Sequence, residues 1–368
     1  MPVDLFAPFA IGRLELRNRF VRSATWDGTA DESGAVTDAS VALYRRLAEG
    51  GVGLIVTGYA FVSPLGQAAQ GQYGAHSDDM IPGLRRLAAA AHEGGARIAL
   101  QIVHAGINSH YLPGLGIPTL AVSSMPDTRT AHREMTDEDI EGIIADFAAA
   151  AVRGREAGFD AVQLHGAHGY LMSQFLSPPY NRRDDRWGGS PENRRRFHLE
   201  VTREARQAVG ADYPLMIKLG VLDGAEGGLP LTEGVGTARA LVQQGIDAIE
   251  VSAGFGGSIR PARAGDPEQP YFRDEAAAVK RAVSVPVIAV GGIRSLETAQ
   301  SIVDSGEADM VSMCRPFIRE PDLVARWQRG DGGPSRCQSC GRCFGVIVRD
   351  RTLDCAQERR LREKGADS

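Results

Sequence analysis

One phrase recurs along the chain: an amphipathic, Ala-rich helical stretch, a glycine, then a short run of β-branched and other apolar residues. LYRRLAEGGVGLIV, LAAAAHEGGARIALQIV, AVRGREAGFDAVQL, ALVQQGIDAIEV and SIVDSGEADMVSM all follow it. The glycine suits a helix C-terminus, because without a Cβ it takes positive φ at little steric cost. The unbroken apolar run suits a strand buried on both faces, as in a parallel sheet clad in helices. Such runs place strands at Phe20–Ser23, Leu54–Thr57, Ile98–Val103, Ala161–Leu164, Leu215–Leu219, Ala248–Val251, Val287–Val290 and Met310–Met313. Strands in that number, alternating with helices, predict an α/β fold closed into a (β/α)8 TIM barrel. An open doubly wound sheet usually has fewer strands and an early G-x-G-x-x-G turn, which is absent. A helix is predicted near Asp137–Glu156, with Thr136 capping its free amides and Asp137, Glu138 and Asp139 at its positive end. Two longer inserts, Asn108–Arg133 and Ser173–Glu192, follow strand C-termini, where barrel loops shape the substrate cavity.

Composition narrows the class. The 368 residues are 43% apolar and 24% charged, as in a globular protein with a substantial core, and a net charge of −5 gives no reason to expect nucleic acid. No apolar stretch reaches membrane-spanning length, and MPVDLFAPFAIG lacks the basic and apolar regions of a signal peptide. A cytoplasmic location is therefore expected. Gly330–Pro334 reads as a linker, dividing a barrel over 1–330 from a cysteine-rich tail over 331–368.

The chemistry concentrates after the fourth strand, in DAVQLHGAHGYLMSQFLSPPYNRRDDRWGGSPENRRR. His165, His168 and Tyr170 leave the C-terminal end of a parallel strand, where barrel enzymes keep their reactive groups. Two imidazoles and a phenol there are able to converge on one small polar atom. Asn181 to Arg196 reads instead as a rigid surface loop that caps the next helix. Glycines at Gly291-Gly292 after strand seven, and Cys314-Arg315 after strand eight, stand where barrel phosphate sites form. Lys218, a cation inside an apolar strand, requires a partner.

HGAHGYL, the SQFLSP that follows and the N-x-R-x-D-x-W-G-G-S-x-E-N-R run resemble the old yellow enzyme (NADH:flavin oxidoreductase) family, the likeness covering about residues 4–325. The resemblance implies FMN over the barrel mouth and NAD(P)H-driven reduction of activated C=C bonds in a small-molecule substrate. It implies Ser23, Ala24, Thr25, Gly58 and Gln101 along the flavin, Lys218 at its N1–O2 edge, and Gly291, Gly292, Cys314 and Arg315 toward its phosphate. His165 and His168 would then bind the substrate carbonyl, and Tyr170 would donate a proton. A homo-oligomer is a family expectation. Trp26 stands where relatives often carry Cys or Thr, so non-covalent FMN is expected.

Of five cysteines, Cys337, Cys340, Cys343 and Cys355 crowd the tail, a pattern that points to metal rather than disulfides. Thiolates in fours suit zinc or an iron–sulfur cluster, and spacing alone does not separate them. Similar cysteine groups in trimethylamine dehydrogenase and 2,4-dienoyl-CoA reductase imply [4Fe–4S], with zinc as the alternative. Those relatives continue into nucleotide-binding domains, so a cluster here is expected to exchange electrons with a separate protein or to act as a staple. A trimethylamine dehydrogenase-like amine dehydrogenase or demethylase is the second functional reading.

Overall fold

The apolar runs form the strands they predict. In the computed structural model, which describes residues 2–256 and 270–366, they are β1 (Phe20–Arg22), β2 (Leu54–Val56), β3 (Arg97–Val103), β4 (Ala161–Gly166), β5 (Leu215–Gly220), β6 (Ala248–Ser252), β7 (Val287–Val290) and β8 (Met310–Met313). Each pairs in parallel with the next, and β8 returns to β1 through Val311 opposite Phe20, so the ring closes. A two-residue strand, Ala60–Phe61, adds to the end of β3.

One boundary differs in a way that matters. β4 was expected to end at Leu164 and release His165 into a turn. Its ladder instead continues, with Lys218 of β5 opposite His165 and Leu219 opposite Gly166. His165 therefore sits on a rigid strand.

Helices α1 (Asp38–Glu49), α2 (Ile81–Glu93), α3 (Asp137–Glu156), α4 (Pro191–Val209), α5 (Leu231–Gln243), α6 (Arg273–Lys280) and α7 (Leu296–Asp304) follow the first seven strands. The expected cap of α3 is present: Thr136 accepts from Asp139 N–H while Asp139 accepts from Thr136 N–H. Past the end of α3, Gly158 takes a φ of 85° and turns the chain into β4.

The barrel is stoppered at its bottom. A hairpin of Phe9–Ile11 and Leu14–Leu16 packs Ile11, Leu14 and Leu16 against Val21, Leu54, Ala99, Ala161, Met216, Ala248 and Met310. Each fully buried Leu or Ile contributes about 1.5–3 kcal/mol. With that end filled by apolar side chains, polar groups and solvent access are confined to the C-terminal mouth.

The loop from Asn181 to Arg196 is a brace, as expected. Asn181 Nδ2 donates to the carbonyls of Phe175 and Trp187, Arg183 holds the carbonyls of Val122 and Met135, and Ser190 caps α4. Beneath it, Phe175 stacks on Phe197 at 4.2 Å between ring centroids.

After β8 come α8 (Arg315–Arg319), α9 (Leu323–Gln328), α10 (Cys343–Asp350) and α11 (Ala356–Ala366). The cysteine segment is seated on the barrel. Val346, Ile347 and Leu353 are buried, and Ile347 lies so close to Gly28 that a Cβ there would meet its Cγ2 at 2.5 Å. Glu320 accepts from the Ser335 hydroxyl at 2.7 Å, and Arg319 pairs with Glu358 at 2.8 Å. No helix among the described residues is long and apolar enough to cross a membrane.

Candidate active site

The groups at the end of β4 converge. After His165, the Gly166-Ala167 turn places His168 at a φ of 61°, a left-handed conformation held by its N–H donating to the Ala253 carbonyl at 2.9 Å. Such a backbone costs a residue with a Cβ about 1–2 kcal/mol, so the turn is fixed by its surroundings rather than chosen by His168. The His165 ring centroid lies 5.0 Å from that of His168 and 5.1 Å from that of Tyr170. All three line a cavity of about 480 Å³ over the barrel mouth, together with Gln101 and Lys218.

Hydrogen bonds assign the protons. Ala167 N–H donates to His165 Nδ1 at 3.3 Å, which leaves Nε2–H as the donor for the cavity. His168 Nε2 lies 3.0 Å from Ser252 Oγ; when that hydroxyl donates, His168 Nδ1 carries the proton. The Tyr170 hydroxyl donates to the Tyr59 hydroxyl at 3.3 Å.

Electrostatics keeps these groups neutral. Burial, with the charges of His168 and Lys218 adding to it, holds His165 well below the ordinary imidazole pKa, and His168 moves the same way. Burial pushes the Tyr170 phenol up, so it keeps its proton at neutral pH. Two further histidines, His104 on the loop after β3 and His198 on α4, are pushed down to about 3 by burial. His104, His165 and His198 thus bind a proton in the unfolded chain from about pH 6.5 downward but not in the fold. The stability present above that pH is lost as pH falls toward 3, by about 1.4 kcal/mol per pH unit for each histidine. The urea midpoint is expected to drop clearly between pH 7 and pH 5; an unchanged midpoint contradicts neutral burial.

A polar layer supports the cavity floor. Lys218 Nζ pairs with Glu250 at 3.1 Å and donates to Ser23 Oγ at 2.7 Å, and all three residues are buried. Glu250 also accepts from Ser23 and Ser312 hydroxyls and from Gln163 Nε2, which is one partner along from Gln101. Burial alone would raise the Glu250 pKa; Lys218 and the two hydroxyls outweigh it, so the carboxylate stays charged. Gln101 Nε2 donates to Gln163, while its Oε1 is buried without a partner among the described residues.

Residues 4–331 match the model of the NADH:flavin oxidoreductase / NADH oxidase family. The chain belongs to this family. Its fold is the α/β barrel of that family's solved structures. An NADH oxidase of Thermoanaerobacter brockii is 39% identical over 364 residues, covering 96% of this chain, which spans 55% of that protein's length. The structure of a 2-naphthoyl-CoA reductase in complex with 2-naphthoyl-CoA superposes with a TM-score of 0.89 at 30% identity, over 95% of this chain and 56% of that one. Morphinone reductase in complex with tetrahydroNAD gives a TM-score of 0.75 at 26% identity, over 92% and 96% of the two chains.

For an NADH:flavin oxidoreductase, the residues present fit FMN. The unpartnered Gln101 Oε1 lacks only a donor, which an isoalloxazine imide N–H would supply, and Lys218 would offer a cation at the same floor. Ala24 and Thr25 line the cavity wall, with Thr25 Oγ1 2.6 Å from Cys314 Sγ. Ser23 and Gly58 are placed differently. Ser23 lies in the layer below, its hydroxyl shared between Lys218 and Glu250. Gly58 donates its N–H to the Tyr44 hydroxyl, and a Cβ there would come within 2.9 Å of the Thr25 carbonyl. Both shape the wall from behind.

Gly291 and Gly292, after β7, have φ values of 99° and 77° and are not among the residues that line the cavity, whereas Cys314 and Arg315 are. Arg315, at the start of α8, donates to the Ser339 carbonyl at 2.9 Å and to the Tyr271 hydroxyl at 3.3 Å. On the cavity wall, its guanidinium fork suits a phosphate.

The four tail cysteines are half-buried free thiols. Burial raises the Cys337 and Cys343 thiols, the latter to about 11; the neighbouring Cys355 and Cys314 add to it at Cys337, and Cys314 and Cys337 at Cys343. Among the described residues no three His, Cys, Asp or Glu side chains are gathered so as to hold a metal ion. The donor set is thus present without the convergence that a ligand cage requires.

Some site residues escaped the sequence reading. Tyr59, Phe344, Ile347 and Ile318 line the cavity, and Trp26, read only as an obstacle to covalent attachment, packs its ring 5.5 Å from Phe344. Tyr59 follows Gly58 past the end of β2, the same strand-end position that singled out His168. Glu250 lies in the apolar run AIEV, and was legible as the partner that Lys218 demands.

Proposed function

We propose that this chain reduces activated C=C bonds of enones and enoates, with NAD(P)H as reductant and FMN as resident cofactor. The observation that carries the reading is the single wall shared by two neutral imidazoles and a protonated phenol. FMN, when bound, supplies hydride relay between the nicotinamide and the β-carbon. His165 Nε2–H and His168 Nδ1–H donate to the substrate carbonyl, drawing density from the alkene and stabilising enolate charge. Tyr170 holds the proton destined for the α-carbon. Lys218, fixed by Glu250 and Ser23, keeps positive charge at the floor, where it favours an anionic reduced cofactor.

A second reading, oxidation of a small amine with electrons leaving to a partner protein, draws on the rings of Trp26, Tyr59, Tyr170 and Phe344, which suit an alkylammonium. Anaerobic spectra separate the two. Bleaching by NAD(P)H and recolouring by cyclohexenone support the first; bleaching by an amine without NAD(P)H supports the second and overturns the first.

For the cysteine segment we infer a [4Fe–4S] site, supported by its resemblance to the cysteine groups of trimethylamine dehydrogenase and 2,4-dienoyl-CoA reductase; the side chains do not take up that arrangement here. No step of the reaction is assigned to it. Metal analysis of anaerobically purified protein is expected to find about four iron atoms per chain; stoichiometric zinc without iron contradicts the inference.

A further inference from the structure

The active-site cavity does not end at Tyr170. Trp26, Tyr59, Tyr170 and Phe344 form a waist, and each also faces a second hollow of about 800 Å³. The far walls of that hollow come from three segments: Ala69 and Gln70 after β2, His110, Tyr111 and Leu115 on the insert after β3, and Val348 on α10. Leu115 is 56% exposed, Phe344 61% and Val348 52%. Single exposed apolar side chains are ordinary, but three of them around one concave surface mark a place where apolar matter binds. No Lys, Arg, Asp or Glu among the described residues lines the hollow, whose polar members are Gln70, His110, the tyrosines and Trp26.

We propose that this second chamber seats an apolar substituent of the substrate, beyond the double bond. The preferred substrates are then enones and enoates with an alkyl or aryl tail, and the cysteine segment sets that preference through Phe344 and Val348. The inference rests on the ene-reduction reading. With the carbonyl at His165 and His168 and the α-carbon at Tyr170, a chain leaving the alkene away from the imidazoles passes Tyr170 and Tyr59 into the chamber. Ligand pockets commonly measure about 300–1,000 Å³, and the first cavity has to seat FMN as well as the alkene, so the second is the room left for a tail.

The experiment compares kcat/KM of the FMN-loaded enzyme for methyl vinyl ketone, pentenone, octenone and benzylideneacetone, with cyclohexenone as reference. Each added methylene is expected to raise kcat/KM about fourfold until the chamber fills, the gain lying mainly in KM. Leu115→Asp and Val348→Asp, at half-exposed positions that bear little of the fold, are expected to lower the octenone-to-cyclohexenone ratio of kcat/KM at least tenfold. Val348→Ile should keep the wild-type ratio. A series flat with tail length, or aspartate variants with an unchanged ratio, would overturn the chamber while leaving enone reduction intact. Absence of turnover with every enone, cyclohexenone included, sinks the underlying reading and the chamber with it.

Discussion

Tyr170→Phe is expected to leave bleaching by NAD(P)H at the wild-type rate and to slow recolouring by an enone about 10²–10⁴-fold, the usual worth of a positioned general acid. The reason lies in where the hydroxyl sits. Tyr170 lines the cavity beside His165, its pKa raised by burial, and its hydroxyl donates to that of Tyr59. A nicotinamide gives up hydride without needing a proton at that point, whereas an alkene that accepts hydride must gain a proton at the α-carbon. The ring remains in Phe, so contacts with His165 and Tyr59 are kept and only the proton is removed. Stopped-flow measurement of the two half-reactions decides the matter: equal slowing of both would assign Tyr170 a packing role instead.

The largest stability effect is expected from Lys218→Met. Glu250 is fully buried, and its charge is tolerated because Lys218 lies 3.1 Å away with Ser23 and Ser312 donating hydroxyls. Removing one member of a buried pair costs about 3–5 kcal/mol, because the other is left uncompensated. Glu250→Gln in the same chain is expected to recover most of that loss. The pH dependence has a definite sign. In the native protein Glu250 is held below its ordinary pKa, so its contribution is present above the unfolded value and is lost as pH falls through the folded one. Without Lys218, burial dominates and raises the carboxyl, so the protonated form is favoured and the variant is penalised less at pH 5 than at pH 8. Urea denaturation of native protein, single and double variants at both pH values tests this; a loss below about 1 kcal/mol at pH 8, the worth of an exposed pair, contradicts the buried charge.

The barrel was legible because the strands are mostly apolar runs and five of the eight are announced by a helix and a glycine. His165, His168, Tyr170, Gln101 and Lys218 were legible because strand ends face one mouth in this architecture. Less visible was anything that depends on two distant segments meeting. Ser23 reads as a cavity-wall residue until the Lys218–Glu250 pair draws its hydroxyl downward. Gly58 reads as a flat spot for a ring until the Thr25 carbonyl is found against it. The seating of Phe344 and Ile347 over the mouth follows from an apolar stripe on α10, which the cysteines around it overshadow in the sequence. The cysteine spacing states which atoms are available to a metal, not where they sit; their positions follow from the packing of α10 and α11 on the barrel.

The central claim is that this mouth couples oxidation of a reduced nicotinamide to saturation of an alkene. Its most direct test is an anaerobic incubation of the FMN-loaded protein with NAD(P)H and cyclohexenone, with both products quantified. The account predicts cyclohexanone formed in equal amount to the NAD(P)H consumed. Consumption of NAD(P)H only when an external electron acceptor is added, with cyclohexenone recovered intact, would contradict it.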